Sequence, residues 1–154
     1  MESANPGSFV TLEKFSNNRF RRLFLCFGAS ATGFESCRPV LGLDGTHLKS
    51  KFQGILLTAT ATDARGSLFP LAFGVVDAEN DENWRWFLNN LHHVLEKHIP
   101  DFLKIKFTLT FLSNRQKGLI GGVETIFPEA AHGCCLKHLE VSRAKWGPQA
   151  ASKA

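Results

Sequence analysis

The spacing of apolar residues changes period partway along the chain, and that change divides it into sheet and helix. In RPVLGLDGTHL, Val40, Leu41 and Leu43 lead up to Asp44, and the Asp44-Gly45 pair marks a sharp change of direction. Residues 39–44 are therefore expected as a buried strand. QGILLTATAT and SLFPLAFGVV follow as two β-rich runs joined by Asp63-Ala64-Arg65-Gly66, a hairpin connection in which Asp63 reads as a turn residue rather than a metal ligand. The period then becomes 3.6: Trp84, Phe87, Leu88, Leu91, Val94 and Leu95 share one helical face. Asp81 and Glu82 open that helix, Lys97 and His98 close it, and Pro100 follows, as the helix dipole favours. Trp84 belongs to the core stripe, and Trp86 lies off it. KFTLTFLSN predicts a strand with Phe107, Leu109 and Phe111 on one side. A second helix is expected next, with Ser113 and Gln116 at capping-box spacing, Leu119, Val123 and Ile126 on one face, Pro128 as its stop, and three glycines weakening it. AAHGCCLKHL suggests a short last strand. Phe9–Ser36 fits either strand or helix.

Three consecutive strands, then helix, strand, helix, strand imply an antiparallel meander continued by helical crossovers. The expected class is α/β: a ribonuclease H-like mixed sheet with flanking helices, shortened at its C-terminus. In that arrangement the first strand is central and the fourth lies parallel beside it, so their carboxyl ends, carrying Asp44 and Asn114, face one crevice. In-line cleavage of a phosphodiester uses two divalent ions about 3.5–4 Å apart, and magnesium prefers carboxylate oxygens. Asp44 is the candidate metal ligand, with a plain turn role as its alternative.

Composition narrows the class without choosing the chemistry. The 154 residues, 44% hydrophobic and 21% charged, suit one soluble globular domain, with no leader pattern and no apolar run approaching the roughly 18 residues that span a bilayer. Four irregularly spaced cysteines fit a reducing compartment better than a disulfide framework. A formal charge of +4 and pI near 9.0 favour phosphate backbones modestly, since no run of five basic residues occurs. Nucleophile-elbow, P-loop and dinucleotide-binding glycine motifs are absent. His132, Cys135 and His138 form an H-x-x-C-x-x-H spacing, a zinc-compatible set that lacks a fourth ligand.

Taken together, CRPVLGLDGTHLKSKFQGILLTATATDARGSLFPLAFGVVDAENDENWRWFL, FLSNRQKGLI and HGCCLKHL, spanning about residues 20–140, resemble the transposases of Mutator-like elements (MULE). The same domain is similar to that of the plant far-red impaired response family. The resemblance implies DNA as partner, a nuclear location, and Mg2+ or Mn2+ held by an Asp, Asp, Glu site. Asp44 stands at the first aspartate. At the second, within the family's S-D-R-Q-K-G form, this chain has Asn114, an amide. The third residue, a glutamate, has no counterpart before the chain ends 16 residues after His138, and Glu79, Glu82 and Glu140 are poorly placed to replace it. The expectation is an inactive transposase catalytic fragment with weak or absent metal binding, and the alternative is a DNA-binding or protein-interaction module with a regulatory role. Residues 1–37 are expected as a partly ordered lead-in, 38–140 as the ribonuclease H-like domain and 141–154 as a disordered tail. Self-association and the absence of membrane contact complete the expectations.

Overall fold

The computed structural model describes residues 3–51 and 53–134. The hairpin region, Ile55–Thr62 (β4) and Leu68–Val76 (β5), shows how the sheet is built. Ile55, Leu57, Ala59 and Ala61 are buried, while the residues between them are half-exposed. One face therefore meets the core. Asp63 closes the turn as expected, its Oδ1 accepting from the backbone N–H groups of Arg65 and Ser67 at 2.9 and 2.8 Å.

The strand expected over 39–44 is longer. Val40–His47 (β3) runs straight through Asp44-Gly45 and pairs antiparallel with β4 from Gly42 to His47. The reversal comes later, where the Leu48 N–H reaches the Gly54 carbonyl at 2.9 Å. Phe9–Ser36, ambiguous by pattern, forms an antiparallel hairpin of Phe9–Lys14 (β1) and Phe20–Cys26 (β2), then a short helix Gly28–Gly33 (α1) and a 3-10 turn. β2 pairs with β5, so this segment extends the same sheet.

Asp81–His98 (α2) follows the predicted stripe, with Trp84, Phe87, Leu88, Leu91 and Leu95 fully buried and the Asn80 side chain capping the Asn83 N–H. Trp86 is half-buried, edge-on to Phe24. The alternation of KFTLTF is misleading. Phe102–Ile105 forms a short helix (α3), Phe107 is 67% exposed, and the strand is only Thr110–Ser113 (β6), with Leu109 and Phe111 in the core. Lys117–Ile126 (α4) has its cap three residues later than expected, at Gln116 rather than Ser113. Gln116 Oε1 accepts from the Leu119 N–H, while Ser113 is occupied elsewhere. Ala131–Cys134 (β7) is the last described strand.

The seven-stranded sheet has the order β1-β2-β5-β4-β3-β6-β7, with β3, β6 and β7 parallel and the remaining pairs antiparallel. It is a mixed α/β sheet. α2 packs on α4 and contacts β2 and β5, so the core lies between helices and one sheet face. On the opposite face Val10 and Leu12 of β1, Leu68 of β5 and Leu112 of β6 are between 37% and 80% exposed.

Candidate functional site

β3 and β6 pair in parallel as Val40↔Thr110, Leu41↔Phe111 and Gly42↔Leu112. Two residues further along this register, Asp44 stands level with Asn114, just past the end of β6. The helical crossover α2 forces this relation, because a parallel neighbour must re-enter the sheet from the same end. Leu41 and Leu43 point into the core, so Asp44 points to the other sheet face, and Thr58 opposes it on β4. The Thr58 hydroxyl lies 3.5 Å from the Asp44 carbonyl.

Position 114 is held on both sides. The Asn114 Oδ1 accepts from the Gln116 N–H at 3.1 Å, an Asx turn that leads into α4. Ser113 is buried, and its hydroxyl donates to the Asn114 carbonyl at 2.9 Å. His132 Nε2 lies 2.7 Å from the same hydroxyl oxygen. Burial pushes the His132 imidazole below its ordinary value, against a weaker upward pull from Glu124. Cys135 and His138, the other members of the zinc-compatible set, lie outside the described residues, as do Glu140 and the tail.

Glu79, poorly placed by sequence to stand for the third glutamate, sits at the same end of β3. A Cβ on Gly45 would lie 2.9 Å from its carboxylate, and the Trp84 Nε1–H donates to it at 3.2 Å. Gly45 and Asp44 face opposite sides of the strand, so the Glu79 and Asp44 carboxylates approach β3 from opposite faces. A glycine inside a strand was the available signal, since it often marks a close approach. Asp81 lies against Gly118 in the first turn of α4, which brings α2 and α4 together at this end.

These donors do not fit a two-ion centre: among the described residues no three His, Cys, Asp or Glu side chains are grouped to hold a metal. Near Asp44 the second expected carboxylate is an amide whose carbonyl already caps a turn. Arg22, 8% exposed, forms a separate polar cluster at the same end of the sheet, on β2, three strands from β3. It bonds Glu13 at 2.6 Å and Asn83 at 3.2 Å and stacks over Trp86 at 4.7 Å. Burial would raise the Glu13 carboxyl, but bonds from Arg22 and Trp86 and the charges of both neighbouring arginines bring it below its ordinary value. That cluster ties β1 and β2 to α2 and is structural.

Two comparisons bear on the site. The model of the MULE transposase domain matches residues 40–141. The chain is also 23% identical over 139 residues to Protein FAR1-RELATED SEQUENCE 6 of Arabidopsis thaliana, covering 90% of this chain and 18% of that protein. It thus spans about a fifth of the curated relative's length.

Proposed function

The chain belongs to the MULE transposase domain family, and from that premise we propose that it is a transposase-derived, ribonuclease H-like domain that contacts DNA in the nucleus without cutting it. The sheet order supports the fold reading, because β3 is interior and β6 lies parallel beside it. The observation that carries the functional reading is the level placement of Asp44 and Asn114 at adjacent carboxyl ends, with an amide where the family has a carboxylate.

An amide oxygen offers a lone pair but no charge, so one formal negative charge at most faces ions whose dehydration several carboxylates normally offset. Such a site binds Mg2+ or Mn2+ weakly and does not support two-ion cleavage. The charge of +4 at neutral pH suits contact with phosphates that needs no metal. The alternative is a transposase-derived DNA-binding or protein-interaction module with a regulatory role, which needs no intact metal site. The likeness to a FAR1-related protein is compatible with it.

Calorimetric titration of Mn2+ tests the carrying observation. The unmodified chain is expected to bind weakly, and Asn114→Asp to tighten binding at least about tenfold by returning an anionic oxygen beside Asp44. Equal affinity in the two proteins would mean that the positions do not share a site.

A further inference from the structure

The carboxyl edge of the sheet carries more than the Asp44 end. A groove of about 810 Å³ opens between the β1–β2 turn and the β3–β4 hairpin, and Phe15, Arg19, Phe20 and Lys51 are among its walls. A second cavity of about 670 Å³ shares Leu48, Gln53, Gly54 and Asp77 with the first and reaches His47, Lys49 and Glu79. The two form one trench, and its inner end stops at the carboxylate packed on Gly45, the residue beside Asp44.

We propose that this trench holds a single-stranded stretch of DNA, with Phe15 and Phe20 stacking on unpaired bases and Arg19, Lys49 and Lys51 meeting its phosphates. The inference rests on the DNA-contact reading above and adds the form of DNA and its path. Phe15 and Phe20 are 41% and 49% exposed, although the chain buries most of its other large side chains. The Arg21 guanidinium, itself paired with Glu13 and Glu82, lies 5.5 Å from the Phe15 ring, so that ring already meets a cation on one side. Exposed rings beside exposed cations in a groove are the combination that binds single strands, because every base has a face to stack and every nucleotide a charge. Bases in a duplex are stacked on each other and cannot meet the rings. The two acids of the trench are engaged by α2 donors, Asp77, which both cavities share, by the Asn83 amide at 2.9 Å and Glu79 by Trp84. Arg19 and Lys51 line only the outer cavity and Glu79 only the inner one, so the outer end is the more cationic.

The experiment measures fluorescence anisotropy of labelled oligo-dT and of a duplex of equal length with the full 154-residue chain. Phe15→Leu with Phe20→Leu is expected to weaken oligo-dT binding about tenfold or more and leave duplex binding unchanged. Arg19→Gln with Lys51→Gln should weaken oligo-dT binding and lower its salt slope by about 0.7 for each phosphate that is no longer neutralised. Circular dichroism checks folding. Phe20→Trp supplies an independent readout if the leucine variant unfolds: its added emission should be quenched by oligo-dT, and unchanged emission at saturation overturns the proposal. Oligo-dT affinity that is unaltered in the folded leucine variant also overturns it. Duplex binding without oligo-dT binding removes the trench and spares the DNA reading, whereas a folded chain that binds neither form removes both.

Discussion

Asparagine has the shape of aspartate without its charge, so at position 114 the side chain forms an Asx turn and offers no anionic oxygen. The neighbouring Ser113–His132 bond makes a separate, measurable contribution. Because burial holds the His132 imidazole below its ordinary value of 6.5, the folded chain keeps it neutral where the unfolded chain takes up a proton. Stability is therefore full above about pH 6.5 and falls as the pH drops through the window below it, where the unfolded state binds more protons. Melting temperatures between pH 7.5 and 5 should decline more steeply for the unmodified chain than for His132→Gln. Parallel declines would show that His132 is not the sensing group. The Glu13 carboxylate contributes in a lower window: its value is depressed, so the stability it adds is lost as pH falls below about 4.5.

Among the elements, α4 shows best how sequence and structure divide the information. Its three glycines look equivalent in the sequence, yet their surroundings differ. A Cβ on Gly118 would collide with the Asp81 side chain and backbone, while one on Gly121 meets nothing within 4 Å. Gly121→Ala should stabilise the domain by about 0.5–1 kcal/mol through helix propensity. Gly118→Ala should destabilise it by about 1–3 kcal/mol by separating α2 from α4. Urea unfolding of both variants checks this, and effects of equal sign would refute the assigned packing. α2 was legible because its apolar stripe, acidic start and basic end all agree. β3 was legible only up to Asp44, because Asp-Gly ordinarily breaks a strand, whereas here Gly45 makes room for Glu79, a residue 34 positions away. The same limit hid the Phe102–Ile105 helix behind the alternation of KFTLTF and left β1 and β2 undecided. The Asp44–Asn114 placement followed from element order alone, while the opposed position of Glu79 and the Ser113–His132 bond required tertiary contacts.

On the scale of the whole molecule, the described sheet packs helices on one face and exposes apolar residues on the other. Val10, Leu12, Leu68 and Leu112 in water favour association, so the purified chain should show a mass that rises with concentration in light scattering. Leu12→Lys with Leu68→Lys should reduce it. A strictly monomeric chain melting cooperatively above about 60 °C would contradict this, since mesophilic domains melt near 45–65 °C. The central claim, however, is DNA contact without cleavage, and nicking of supercoiled plasmid in Mg2+ or Mn2+ tests it most directly. The account predicts plasmid that is retarded on binding yet stays supercoiled, both with the unmodified chain and with Asn114→Asp. Metal-dependent nicking by the unmodified chain that Asp44→Ala abolishes would contradict it.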